Sequence, residues 1–355
     1  MSKNIVIQTT CLLVLTLLSL PLAASSNSQT PSCVPPSDQK LTLYRAGSLT
    51  AAFKPLLETF TCQTGILVTD VAGASVDKAR LCTAGGVACD LYASADYSNI
   101  DLFLKPAGYA DFTIVFAQGR MVLGYSANGL AQKNLPPIAD PASGAFDPPN
   151  SIPMASPNWY KILTSPGVSI AGGVPFLDPG AYRAFLIFQL AQKYYKEPML
   201  YDNLMQHMVI PGGDSSVPAL GKLYDFQFTY EHSARATAKK NPDYRFLDLP
   251  DEMNLSDPAK NNYYAKNAVI VLPGLGTSQS AQTIPVPATR VAWGITVMKN
   301  APNRENAIKF LQLLLGPAGT NSLKENGPTP ISPAHVSPED FPKLPEALRP
   351  FVKSE

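Results

Sequence analysis

Charge is scarce in this chain: 15% of its 355 residues are Asp, Glu, Lys or Arg, and the formal net charge is +1. No basic field is available for nucleic acid, which excludes that class of partner. Beyond Leu22 no stretch reaches the ~18 uninterrupted apolar residues of a membrane span. Histidine is rarer still, at 207, 232 and 335 only. The Gly-x-Ser-x-Gly elbow of hydrolases is absent, and Gly274-Leu275-Gly276 lacks the third glycine and the following helix of a dinucleotide site. An exported hydrolase using Ser215, in Gly213-Asp214-Ser215, with one of the histidines is therefore a minor rival reading.

What is present begins with a leader. Lys3 is followed by an apolar run from Ile5 to Leu22, broken by Gln8-Thr9-Thr10, and by Pro21-Leu22-Ala23-Ala24-Ser25, a positive start, an apolar core and small residues at a cleavage position. Residues 1–24 read as a secretory signal, with a membrane anchor as the rival. Removing them takes away Lys3 and leaves 27 basic against 27 acidic residues. The remaining cysteines, 33, 62, 82 and 89, are even in number and suit an oxidising compartment. Cys82 and Cys89 flank a short Gly-rich loop that can close locally, leaving Cys33 with Cys62, although four cysteines allow three pairings. A zinc site made of all four thiolates is disfavoured, because cysteines two residues apart are missing.

A hydrophobic fraction of 45% and this length provide for two cored domains. After a Ser/Asn/Pro-rich linker (25–40), strand-like and helix-like stretches alternate. Leu41–Arg45 runs through Ser48 into an apolar helix from Ala51, and Gly65–Val71 runs through Ser75 into a second helix. Such units predict a parallel α/β sheet, whose ligands bind at the carboxyl ends of strands, where both serines fall. A third junction is Asp178-Pro179-Gly180-Ala181, where Asp178 is the N-cap and Pro179 the first residue of a helix reaching Tyr195. Its first amides can receive an anion, and Gly180 permits close approach. Asp225–Glu231 alternates as a strand, with Thr229 and Glu231 on one face, and His232–Lys240 reads as helix. Val269–Leu272 and Val291–Val297 read as strands leading back to the first domain, and the proline-rich tail from Pro328 to Pro350 as a surface wrap.

Several segments, in order, carry a resemblance: Ala46-Gly47-Ser48-Leu49, Ala93-Ser94-Ala95-Asp96-Tyr97, Phe116 to Tyr125, Asn158 to Leu163, Asp178-Pro179 with Tyr182-Arg183-Ala184, Leu249 to Asp257, and Gly294 to Val297 with Asn300 to Arg304. Over roughly residues 41–333 the chain resembles the tungstate/molybdate-binding proteins of ABC importers, in the branch with archaeal members. The resemblance implies an α/β, two-lobed periplasmic-binding-protein fold (type II) with the oxyanion in the cleft between lobes. Lobe 1 would comprise 41–124 and 291–355, and lobe 2 residues 125–290. It implies an exported, periplasmic, monomeric carrier that is no enzyme, needs no cofactor and delivers its cargo to a permease. Ser48 and Ser75 would serve from one lobe, and Asp178, Gly180 and Tyr230 from the other. In this branch carboxylates can ligate the metal of the oxyanion, and Asp178 matches one of them.

Two departures stand out. The family's cysteine-glycine pair after Asp-Pro is Gly180-Ala181 here, and its second carboxylate falls on Thr229 without a gap, or on Glu231 with a shift of two. If Glu231 serves, Asp178 and Glu231 are the two metal ligands; if Thr229 occupies the position, hydrogen bonds hold a tetrahedral anion. Sulfate and phosphate are rival anions, and ferric iron a rival cargo suggested by Tyr263-Tyr264.

Overall fold

Leu41 and Leu43, two apart and fully buried, fix the inward face of strand β1 (Lys40–Ala46). A single 3-10 turn, Gly47–Leu49, leads into helix α1 (Thr50–Thr64), whose Ala52, Phe53, Leu56, Leu57 and Phe60 return at helical spacing to cover the sheet. Gly65 ends it in the left-handed region at φ 69°, where a Cβ would stand 2.4 Å from the Pro35 carbonyl oxygen. The structure, a computed structural model, describes residues 33–83, 87–140, 152–209, 224–275 and 282–355. The expected signal segment and the Gly213-Asp214-Ser215 triplet lie outside the described residues.

Strand β2 (Leu67–Gly73), helix α2 (Ser75–Thr83), strand β3 (Leu91–Ser94), a π turn at Ile100–Leu104 and strand β4 (Ile114–Gln118) complete the first pass. The chain then crosses into a second sheet. This contains β5 (Met121–Ser126), β6 (Ile170–Ala171), β7 (Met208–Val209), β8 (Phe226–Tyr230) and β9 (Tyr244–Asp248), in the order β7-β6-β8-β5-β9. Against it lie α3 (Ala127–Gln132), α4 (Trp159–Leu163), α5 (Pro179–Tyr195), α6 (Leu200–Gln206) and α7 (Glu231–Lys240). Then come α8 (Asn261–Asn267) and a hairpin of β10 (Val269–Pro273) and β11 (Thr283–Pro287). Strand β12 (Ala292–Val297), helices α9 (Arg304–Leu315) and α10 (Pro317–Asn326), and strands β13 (Thr329–Val336) and β14 (Val352–Ser354) finish the first sheet, ordered β14-β13-β4-β12-β3-β1-β2.

Four expectations are corrected here. The first sheet is mixed: β1 pairs parallel with β2 and β3, while β12 runs antiparallel to β3 and β4. The tail does not merely wrap the surface, since β13 pairs with β4 inside the sheet; Pro330 and Pro333 are tolerated because the register breaks between Pro330 and His335. Strand β10 pairs with β11 in a separate two-stranded sheet rather than leading back to the first. Finally, β5 already belongs to the second sheet, so the crossing is at 119–120 and not after residue 124; an apolar strand does not reveal which sheet receives it. Both predicted disulfides, Cys33–Cys62 and Cys82–Cys89, are present.

The residues from Cys33 to Glu355 form one unit. In the first lobe Phe53 and Phe60 of α1 meet Phe310 of α9 at 6.0 and 5.4 Å between ring centroids. In the second, Phe228 of β8 meets Phe188 of α5 and Trp159 of α4 at 5.3 and 6.0 Å.

Candidate functional site in the interlobe cleft

Each lobe presents its strand-to-helix corners to the other. From the first lobe come Ser48, in the turn after β1, and Ser75, the first residue of α2. Ser48 Oγ accepts a hydrogen bond from the Trp293 indole at 3.0 Å, and Ser75 Oγ accepts one from the Ala95 amide at 3.1 Å. A hydroxyl oxygen that accepts from one side keeps its own proton for an acceptor on the other. Both serines thus remain potential donors to an oxyanion.

From the second lobe comes the start of α5. Asp178 is its N-cap at φ −134°, ψ 128°, and Pro179 its first residue, as the sequence predicts. The Asp178 carboxylate makes no capping bond within the helix. It lies beside Gly180, where a Cβ would come within 3.1 Å of Oδ2 and 3.6 Å of the Tyr230 ring. Burial raises the Asp178 pKa, and the Gly180 amide and the Arg183 guanidinium act against that rise.

Tyr230, the last residue of β8, sits at the centre. Its ring packs against Trp293 at 5.0 Å and stacks on His232 at 5.8 Å. Its hydroxyl accepts from Arg183 Nη1 at 2.8 Å, and burial holds that phenol in its neutral form. His232 in turn bonds the Ser48 carbonyl through Nε2 at 3.1 Å, across the cleft. Arg183 Nη1 also donates at 2.8 Å to the carbonyl of Ala95, the residue whose amide Ser75 binds. Tyr182 donates to Asp96 at 2.8 Å, and the first amide bonds of α2, from Val76 and Asp77, go to the Leu177 carbonyl. Ser48, Ser75, Asp178, Gly180 and Tyr230 are therefore joined by one continuous set of contacts spanning both lobes.

Residues 41–328 match a family model described as bacterial extracellular solute-binding protein. This chain belongs to that family. The molybdate/tungstate-binding protein WtpA of Pyrococcus abyssi is 28% identical to it, over 88% of this chain and 90% of its own length. Among solved structures, the sulfate-binding protein SubI from Mycobacterium tuberculosis H37Rv aligns with a TM-score of 0.56 at 14% identity, covering 82% of this chain and 87% of its own. The periplasmic molybdate-binding protein of Azotobacter vinelandii aligns with a TM-score of 0.51 at 18% identity, over 81% and 98%. These likenesses establish the two-lobed binding-protein fold. The family is one of extracellular solute-binding proteins and not of enzymes. Among the described residues, no helix is long and apolar enough to cross a membrane.

In this solute-binding protein Glu231 is placed differently from the other expected residues. Strand β8 stops at Tyr230 and Glu231 opens α7, so the alternation that pairs it with Thr229 does not extend to it. Its two carboxylate oxygens bond Arg120 at 2.8 Å and Arg235 at 2.7 Å, and Arg120 also pairs with Asp248. Thr229 lies opposite Val122 in the ladder, on the less buried face of β8. Of the other rivals, Tyr264 is fully buried and its phenol donates to the Asp251 carbonyl at 2.6 Å. His207 bonds the Val168 carbonyl and His335 pairs with Glu355, so the histidines lie on separate elements.

Sequence reasoning did not single out Arg183, Trp293 or His232 as site residues. Two signals were available. A lone arginine within the apolar stretch Ala181–Ala191 must be paired when buried, and a tryptophan in an all-buried strand needs an acceptor for its indole N–H.

Proposed function

We propose that this chain is an exported carrier that captures tungstate or molybdate in its interlobe cleft and delivers it, as a monomer, to the permease of an ABC importer. The observation that carries this reading is the set of contacts that links two serines of one lobe, through Trp293, Ala95 and Arg183, to Tyr230 and the start of α5 in the other. Fixed hydroxyl, amide and guanidinium donors offset the desolvation of a small oxyanion, and hydrogen bonds to charged groups are the strong ones. The ligand named for the relative from Pyrococcus abyssi supports tungstate or molybdate as that oxyanion. Residues 1–24 would be removed on export to the periplasm.

Asp178 supports a metal oxyanion over sulfate or phosphate. A carboxylate facing a dianion repels it unless the carboxyl is protonated or bound to the metal, and burial already disfavours the free charge. Asp178 is accordingly the first metal ligand in this reading. Glu231 would be the second only after leaving Arg120 and Arg235.

The test is calorimetric titration of the protein with tungstate, molybdate, sulfate and phosphate, repeated on Asp178→Ala and Glu231→Ala. Tight binding of the first two with little heat from the others, and a large loss in Asp178→Ala alone, is expected for one carboxylate ligand. An equal loss in Glu231→Ala would mean that a second carboxylate reaches the metal. Silence toward all four anions would end the oxyanion reading and make ferric iron the next ligand to titrate.

A further inference from the structure

Arg183 is 1% exposed, and its hydrogen bonding is incomplete. Nη1 serves the Ala95 carbonyl and the Tyr230 hydroxyl, whereas Nη2 is buried without a hydrogen-bond partner. Asp96 forms an ion pair with Nη2 at 3.4 Å but accepts no hydrogen bond from it. Asp96 is itself occupied: Oδ1 receives the Ser98 amide and hydroxyl, and Oδ2 receives the Tyr182 hydroxyl. A buried guanidinium with an idle N–H is unfavourable unless its charge serves another group. The remaining groups around it are Asp178 and Tyr182 on its own helix, Tyr230 on β8, and Asp96 after β3.

We infer that Arg183 is the specificity-determining residue of the cleft, its guanidinium setting the preference for a doubly charged oxyanion over a singly charged one of the same shape. The inference rests on the oxyanion reading above and goes beyond it, because it concerns the charge of the ligand and not its geometry. Removing Arg183 lowers the fixed charge of the group it forms with Asp96 and Asp178 by one unit, whatever the protonation of Asp178, and every negative charge on the ligand then meets one unit less attraction. Coulomb energy is linear in ligand charge, so the loss on removing Arg183 is twice as large for a dianion as for a monoanion at the same place. A purely structural role would weaken both ligands by the same factor.

Tungstate and perrhenate are the probes, being tetrahedral oxyanions of one shape with charges of two and one. Affinities for both are measured by calorimetry, with perrhenate in competition where needed, on the wild type, Arg183→Gln and Arg183→Lys. If Arg183→Gln weakens perrhenate about tenfold, it should weaken tungstate about a hundredfold, so the tungstate-to-perrhenate ratio falls about tenfold. Arg183→Lys, which keeps the charge and loses the planar donors, should hold that ratio within about threefold of the wild type. Equal losses for both anions in Arg183→Gln, or a ratio that moves alike in the Lys and Gln variants, would overturn the inference while leaving the oxyanion reading intact. A wild type that binds neither anion removes both. Should Arg183→Gln fail to fold, Asp96→Asn carries the test, since removing a negative charge must raise the ratio; an unchanged ratio there overturns the inference.

Discussion

His232 should make this protein acid-sensitive in a defined window. Burial pulls its pKa down from 6.5 to about 4, against the smaller opposing effects of the Ser48 carbonyl and Glu231. The native ring therefore stays neutral at a pH where the unfolded chain already binds a proton. Because the unfolded state binds more protons, stability falls as pH drops below 6.5, and the loss is complete near pH 4. Over that interval it amounts to about 3 kcal/mol, with about 2 kcal/mol already gone at pH 5. Above pH 7 the residue contributes no pH dependence. Urea unfolding of the ligand-free protein at pH 7, 6, 5 and 4.5 measures this directly, with His232→Gln as the reference because an amide can still donate to Ser48. Asp178 works in the opposite direction, since its raised pKa lets the native state bind a proton first, but it is common to both proteins and cancels in the difference. The wild type should lose about 2 kcal/mol more than the variant between pH 7 and pH 5. Parallel profiles would refute the assignment of a buried neutral imidazole.

Gly65→Ala forces a side chain into a left-handed residue and against a backbone oxygen 2.4 Å away, and should lower stability by about 2–3 kcal/mol, read as a shift in the urea midpoint at unchanged slope. Replacing Cys33 and Cys62 by serine opens a crosslink between residues 29 apart and should cost about 3–4 kcal/mol, against about 2 kcal/mol for the pair Cys82 and Cys89, 7 apart; a reversed order would contradict the chain-entropy account. Arg80 reaches from α2 to the carbonyls of Phe176 and Pro273 in the other lobe, at 3.2 and 3.0 Å. Arg80→Ala should weaken oxyanion binding about fivefold to thirtyfold, through faster dissociation, although Arg80 is not among the residues of the anion site. Stopped-flow dissociation rates equal to those of the wild type would mean that this contact does not limit opening.

Elements whose physics is local were readable from the sequence. The apolar spacing from Ala52 to Phe60 and the Asp178-Pro179 helix start need only their own residues, and the structure has both. The strand that carries Tyr230 also followed, because Phe226, Phe228 and Tyr230 alternate with less buried neighbours, but it ends one residue before the predicted Glu231. What failed depends on residues far away in sequence. Whether β13 enters a sheet is decided by an unpaired edge on β4, some two hundred residues earlier, and prolines in the segment concealed it. Glu231 shows the same limit in the site itself: its partner Arg120 is separated from it by 111 residues, and no period in either segment reports that pair.

The chain segments that pass between the two sheets are in contact with the candidate site. The two crossings between the sheets lie side by side, with the Gly119 amide on the Val291 carbonyl, the Val291 amide on Leu255 and the Met121 amide on Asn254. Trp293 follows immediately. Its indole ring fills the space at Gly119, where a Cβ would be 3.2 Å away, and its N–H holds Ser48 while its face meets Tyr230 and His232. A rotation at Gly119 and Val291 that parts the lobes must therefore shift Tyr230 and His232, carried by the second lobe, against Trp293 and Ser48, carried by the first. A ligand that engages donors of both lobes at once would therefore favour the arrangement in which they face each other, by its differential contacts with them.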